Sequence, residues 1–491
     1  MTARVSPLDL LSVDRKSSVQ LHRQIYETLR QYILVGTLAP NSRLPSTRAL
    51  AEQLELGRNT VIAAYDQLLA EGYVETMAGS GTRVAALLQM AGNNASQARS
   101  ARAMELSRRG SVIANQSQPR RPTNTTNVQP AFPDVEFFPF KLWSRLIARN
   151  ARKHDEDLLG YESFAGHARL RRALANYLGV ARGISCTPEQ IIIVTGAQAA
   201  LDLLARILID DGDWAWLEEP GYMGARNALL GAGARIAPLR VNRRGWKLGD
   251  SHLPSPRLIY VTPSCQWPFG TVMRMEQRQQ LLAAAERHGA WIIEDDYDGE
   301  YRFRGSPVPA LRGLDVSDRV IYVGTFGKTL LASLRLGYMV VPVELAEVIS
   351  RAVSVTGQFA PLLLQATVAD FIEQGHFAAH LRRTRRLYAR RQKSFVKLCR
   401  RHLSDWLSVL ENDSGMQVLA RFVSPFDDRD VARAGLKRGL DLQPISMNYH
   451  HGEPEHGLLL GYAGLSEPQA HKVVLALKAT FLDIAHTDSA G

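Results

Sequence analysis

Cysteine is scarce. Three occur in 491 residues, Cys186, Cys265 and Cys399, at spacings that match neither a zinc site nor a disulfide framework. No metal site is expected, and the scarcity fits a reducing, cytoplasmic compartment. Long apolar runs are missing too, so no segment reaches the roughly 20 residues that cross a bilayer. The first twenty residues carry Asp9 and Asp14 and no apolar h-region, which argues against a secretory signal. There is no internal repeat. What remains is globular: 45% apolar and 22% charged residues, in a chain too long for one ordinary domain. The formal charge of +11 makes a polyanionic partner plausible.

Composition divides the chain. Residues 89–128 are rich in Ala, Ser, Asn, Gln and Arg, with six arginines (Arg99, Arg102, Arg108, Arg109, Arg120, Arg121) against the single acid Glu105. This composition predicts a flexible basic linker over 87–128, with a helix near Ala101–Leu106, either a solvated tether or a tracker of a DNA backbone. Before it, Leu21, Ile25, Leu29 and Ile33 recur at the spacing of one buried helical face. Gly36 and Pro40 break that pattern. Ser46, after Pro45, is an N-cap for a short second helix reaching Leu54. A third helix starts near Arg58 and turns Val61, Tyr65, Leu68 and Leu69 inward. Gly72–Glu75 and Thr82–Val84 flank a glycine-rich tip and predict a small hairpin.

Helix, short helix, turn, helix and hairpin form the layout of a winged helix-turn-helix, whose recognition helix presents its N-terminal residues to DNA. Residues 15–86 resemble the DNA-binding domain of GntR-type bacterial regulators, with Leu-Pro-Ser at 44–46, Arg-Asn-Thr-Val at 58–61 and Gly-Ser-Gly-Thr at 79–82 in order. The resemblance implies double-stranded operator DNA as a partner, contacted by Ser46, Thr47, Arg48, Arg58, Asn59, Thr60 and Gly81. Gly57 stands where the family usually has serine; glycine still caps a helix.

From residue 129 to about 485 the pattern becomes α/β. The runs Gln190–Thr195, Leu258–Thr262, Trp291–Glu294 and Val320–Val323 predict buried strands, alternating with helices such as Gln198–Ile209 and Met275–His288. Such alternation implies a mostly parallel sheet wrapped by helices. Beyond Pro342 a helical region runs to about Leu403, and a smaller α+β lobe starts near 345. Ten Lys or Arg and no acid lie between Arg382 and Arg401, either a solvated helix face or a DNA contact.

Within this region Gly327-Lys328-Thr329 matches the end of an NTPase phosphate loop, but the first glycine of that loop should stand at 322, which is Tyr322. A lysine at the end of a buried strand can instead form a Schiff base with a phosphorylated aldehyde cofactor. Asp295, at the end of another strand, would hold a proton on a pyridine nitrogen. The Thr195–Gln198 turn, opening a helix, can bind phosphate through backbone N–H groups. Arg335 follows Lys328 by seven residues and could complete the phosphate site.

Ordered this way, residues 130–480 resemble fold-type I pyridoxal-phosphate (PLP) aminotransferases. The resemblance implies that Lys328 carries PLP, that Asp295 pairs with the pyridine nitrogen and that Tyr297 bonds the ring hydroxyl. It places Tyr222 on the ring, Gly196, Ala197, Gln198, Thr325 and Arg335 around the phosphate, and Tyr161 in the site of the other subunit, hence a homodimer. With the winged helix in front, the whole chain resembles the MocR subgroup of GntR-type regulators. It is read as a PLP-dependent transcriptional regulator whose aminotransferase-like domain senses an amine, an amino acid or PLP itself; the alternative is a working aminotransferase that carries a DNA-binding domain. Two departures bear on this choice. Where the subgroup commonly reads Thr-Pro-Ser-His-Gln-Phe-Pro-Thr-Gly, this chain has Cys265, Trp267 and Phe269, of which the bulkier Trp267 and Phe269 are expected to reshape the pocket. Leu459 stands where aminotransferases place the arginine that grips the substrate carboxylate. The second departure predicts weak or vestigial transamination.

Overall fold

The computed structural model describes residues 11–77, 81–86, 106–114, 126–153, 160, 164–249, 252–305 and 308–488. It divides into two compact units, Met1–Glu105 and Leu106–Gly491. The first holds α1 (Leu21–Leu34), α2 (Thr47–Gln53), α3 (Arg58–Ala70) and the antiparallel pair β1 (Val74–Met77) and β2 (Gly81–Val84). Ile25, Leu29 and Ile33 of α1 are buried against Val61, Tyr65 and Leu68 of α3. The serine cap of α2 is present, Ser46 Oγ accepting from Ala49 N at 3.1 Å. Gly57 caps α3 through backbone alone. Leu69, expected inside, is 44% exposed; one residue past Leu68, it falls 100° around the helix from the buried stripe. Residues 41–44 lie along β2, with Asn41 N bonded to Val84 O and Leu44 N to Thr82 O, so the wing gains a third extended segment.

The helix expected near Ala101–Leu106 falls almost wholly outside the described residues. The second unit opens with α4 (Arg108–Ala114), β3 (Thr126–Asn127), α5 (Phe140–Ala151) and α6 (Ala168–Arg182). Its sheet is built by β4 (Ile191–Val194), β5 (Trp214–Glu219), β6 (Arg235–Asn242), β7 (Gly245–Trp246), β8 (Leu258–Val261), β9 (Trp291–Asp296), β10 (Val320–Thr325) and β11 (Gly337–Val340). Between them come α7 (Ala197–Leu208), α8 (Met223–Gly231) and α9 (Met275–His288). The spatial order is β4-β11-β10-β9-β8-β5-β6-β7. Strand β11 runs antiparallel to both neighbours, whereas β10, β9, β8, β5 and β6 are mutually parallel. Strands β4 and β8 are buried at every position, and their continuous apolar runs suit a sheet covered on both faces.

Three helices follow, α10 (Val343–Thr356), α11 (Leu362–Glu373) and the 28-residue α12 (His376–Leu403). The smaller lobe is the antiparallel sheet β12 (Leu407–Val409), β13 (Gln417–Phe422), β15 (Gln443–Pro444) and β16 (Gly457–Gly461), in the order β12-β13-β16-β15. Helices α13 (Asp428–Lys437) and α14 (Glu467–Asp488) complete it, and β14 (Leu440–Asp441) pairs in parallel with β3. In the basic stretch of α12, Arg385 donates to Glu300 O, Arg391 pairs with Asp134 and Arg400 donates to Val409 O. Arg382, Arg383, Arg386, Arg390, Lys393, Lys397 and Arg401 are exposed.

Candidate functional site

Parallel pairing of β9 with β10 sets Asp295 beside Val323, so the end of β9 and the turn after β10 converge. There Ala197, Tyr222, Asp295, Tyr297, Thr325 and Lys328 line one cavity of about 160 Å³, completed by Pro130, Ala131, Tyr260, Thr262 and Trp267. Asp295 is buried. Its Oδ2 accepts from the Tyr260 hydroxyl at 2.8 Å, while Oδ1 is buried with no partner among the described residues. Burial pushes its carboxyl up to about 7, against the hydrogen bond from Tyr260 and the charge of Lys328. An acid with one spare acceptor beside a lysine fits a protonated ring nitrogen.

The opposite end of the cavity is shaped by glycine. Gly196, at φ 113°, turns the chain from β4 into α7, whose first N–H groups have no helical partner. Strand β11 crosses this turn so closely that a Cβ on Gly337 would lie 2.9 Å from the Gly196 carbonyl carbon. The Gln198 side chain faces away from that role: it donates to Gly224 O at 2.9 Å and accepts from Tyr222 at 3.3 Å. Only its backbone can serve an anion. Thr325 Oγ1 accepts from Gly327 N at 3.1 Å. Arg335, exposed and left-handed at φ 49°, is near enough for its charge to oppose the rise of Tyr222, which burial drives up to about 12.

Tyr297 lies against Cys265, its hydroxyl 3.7 Å from Sγ, and burial raises that thiol to about 12, keeping it protonated. Trp267 stands edge-on to Tyr222 and Tyr297, with centroids 6.5 and 5.9 Å away, and its indole N–H donates to Asn448 Oδ1 at 2.8 Å. Phe269 corrects the expectation made for it. It does not line the cavity but is buried with Trp216, Leu419, Ile445 and Leu459 in a cluster against which Trp267 packs. Leu459 likewise does not line the cavity. Its side chain packs with Trp216, Phe269 and Ile445 instead. Tyr161 lies outside the described residues.

Sequence reasoning missed Tyr260, the only polar side chain in the otherwise aliphatic β8, and Thr262, whose hydroxyl and N–H both bond the buried Glu218 at 2.6 and 2.9 Å. The polar break in Leu-Ile-Tyr-Val was the available signal.

In the first unit, Arg58 and Asn59 are exposed and Thr60 half-buried at the start of α3, with Arg58 Nε 3.4 Å from Thr47 Oγ1. Ser46 and Arg48 are also exposed, and Gly81 sits at the wing with φ 83°, its Cα side facing the Arg43 guanidinium. Recognition-helix start and wing are thus presented by one small body.

Residues 21–84 match the family of bacterial regulatory proteins of the gntR type, and residues 136–469 match the aminotransferase class I and II family. A Rhizobium meliloti protein named "Probable rhizopine catabolism regulatory protein MocR" is 54% identical over 473 residues, 96% of each chain. The pyridoxine biosynthesis transcriptional regulator PdxR of Corynebacterium glutamicum is 29% identical over 90% of this chain and 92% of its own. Among solved structures, the Thermus thermophilus α-aminoadipate aminotransferase LysN, complexed with N-(5'-phosphopyridoxyl)-L-leucine, shares 27% identity at TM-score 0.67, covering 73% of this chain and 94% of that one. The gntR match implies DNA binding, and the aminotransferase fold with its PLP-bearing neighbour implies a PLP site and a small-molecule effector. Among the described residues, no helix is long and apolar enough to cross a membrane. Reading head, cavity and full-length likeness agree: the chain belongs to the MocR subgroup of GntR-type transcriptional regulators, a winged helix-turn-helix followed by an aminotransferase-like domain.

Proposed function

We propose that this regulator holds PLP on Lys328 and uses it to sense an amine that carries no carboxylate next to its amino group. The carrying observation is that Leu459, at the position the resemblance gives to the carboxylate-binding arginine, is hydrocarbon packed with Phe269 and Trp216 behind Trp267. A carboxylate without a bidentate cation loses its strongest orienting contact. PLP, when bound, supplies an electrophilic carbon that takes up amines. The protein's own side chains do the rest. Asp295 Oδ1 keeps the ring nitrogen protonated, Tyr222 and Trp267 wall the cavity, and the Gly196–Gln198 turn with Thr325 and Arg335 holds the phosphate. On the family resemblance, Tyr161 of a second subunit would complete the site, which makes the working form a homodimer. Amine binding acts on DNA only as far as it favours one arrangement of the two reading heads over another.

The test is a panel of amines titrated into PLP-loaded protein. Amines lacking an α-carboxylate should perturb the visible absorbance saturably, common α-amino acids weakly, and Lys328→Ala should remove the protein-bound band. Keto-acid release should stay far below about 1 per second, the lower end of ordinary enzyme turnover. Turnover of any common amino acid within the enzyme range would restore the aminotransferase reading.

For the reading head, Arg58→Ala should weaken specific operator binding by roughly 1–3 kcal/mol, the worth of one base contact. Arg43→Ala or Arg83→Ala, at the wing, should instead weaken all sequences alike and lower the salt dependence. Footprinting at several salt concentrations separates the two, and a footprint indifferent to Arg58 would count against α3 as the reader.

A further inference from the structure

Successive residues of a strand face opposite sides, so Asp295 and its neighbour Asp296 belong to different surroundings. Asp296 accepts from Tyr322 at 2.6 Å and pairs with the buried Arg182, which also donates to Ser264 Oγ at 2.7 Å. Arg182 in turn lines a second cavity, about 330 Å³, shared with Tyr177, Ser264, Glu300, Arg302 and Arg385. None of these lines the cofactor cavity.

The cation inventory of this second cavity is unbalanced. Arg302 makes no side-chain hydrogen bond or ion pair among the described residues, and its Nε is buried. Arg385 spends Nε and Nη2 on one backbone carbonyl, Glu300 O, at 2.9 and 2.7 Å, and has no carboxylate partner. Arg182, only 6% exposed, leaves its Nε buried and unpartnered. The single lining acid, Glu300, accepts from Tyr177 at 3.4 Å, and burial raises its carboxyl, weakening it as a counter-charge. Arg302 and Arg385 are half-buried, and a guanidinium that is partly desolvated gains from an anionic partner. Their planar forks match oxyanions.

We propose that this cavity is a second ligand site, which binds a small oxyanion, a carboxylate or a phosphate, between Arg302 and Arg385 with Arg182 in its wall. Arg182 links it to the cofactor side, since the Asp296 and Ser264 it holds are chain neighbours of Asp295 and Cys265. An anion here competes with Asp296 for the same guanidinium.

The test is calorimetric titration of full-length, PLP-loaded protein, whose phosphate subsite is already filled, with inorganic phosphate and separately with malonate at constant ionic strength. Saturable binding of one or both is expected, and the stronger of the two identifies the source of the anion. Arg302→Gln should weaken it at least roughly tenfold, as loss of a charge-assisted bond requires. The thermal midpoint of the unliganded variant should stay unchanged, because Arg302 holds nothing else. Arg385→Gln should weaken binding similarly; if it unfolds, Arg302→Gln alone decides. No saturable binding of either anion, or binding indifferent to Arg302→Gln, overturns the proposal. Loading is followed separately by visible absorbance, so a failure to hold PLP is not mistaken for a failure of this site.

Discussion

Asp295→Asn is expected to stabilise the cofactor-free protein while stripping it of cofactor affinity. Burial pushes the Asp295 carboxyl up to about 7, whereas an unfolded aspartate titrates near 3.9. Between these values the folded state retains a proton that the unfolded state has released. Stability therefore falls as pH rises from about 4 to about 7, and the penalty is complete above that. Asparagine mimics the protonated acid and its carbonyl can still accept from Tyr260. At pH 8 the cofactor-free variant should gain on the order of 2–4 kcal/mol, and at pH 4 almost nothing. Cofactor-loaded protein should behave in the opposite way. Without a carboxylate the ring nitrogen loses its charged partner, and PLP affinity should fall roughly 100- to 1000-fold, the usual cost of breaking a buried ion pair. Urea denaturation at both pH values, with absorbance titration by PLP, measures both arms. A cofactor-free variant less stable than the parent at pH 8 would show that Asp295 is ionised and paired in a way the cavity does not reveal.

The contrast between what the sequence disclosed and what it hid follows the range of the interactions. Lys328, Asp295 and the Gly196 turn were legible because parallel strands deliver their ends to one edge, so motif order alone predicts convergence. Helix α9 was legible to its end residues, Met275–His288, because its caps are local. Tyr260 was not. Its role depends on the β8–β9 pairing, which brings its hydroxyl to Asp295 across 35 residues of chain. Phe269 and Leu459 were placed beside the cofactor by motif position, yet both face a cluster assembled from β5, β13 and β16 that no local pattern encodes. The imbalance of charge around Arg302 is likewise invisible until α6, α12 and the turn after β9 are packed together.

Leu459→Arg carries the largest expected effect, and its sign depends on this packing. If motif position alone ruled, arginine there would restore a carboxylate grip and raise transamination. In the fold, Leu459 is fully buried in β16, paired with Leu419 on one side and Gln443 on the other. Its side chain lies among Trp216, Phe269 and Ile445. A guanidinium there would displace packed hydrocarbon and lose its hydration, a change that costs several kcal/mol. At about 2–4 °C per kcal/mol for a domain of a few hundred residues, the thermal midpoint should fall by roughly 10 °C or more. Leu459→Met, which keeps the volume, should cost under about 1.5 kcal/mol. Neither variant should turn over α-amino acids faster than the parent. A Leu459→Arg protein that melts with the parent and gains keto-acid release would mean that the cluster opens to admit the arginine to the cofactor cavity, and that a carboxylate-bearing effector fits after all.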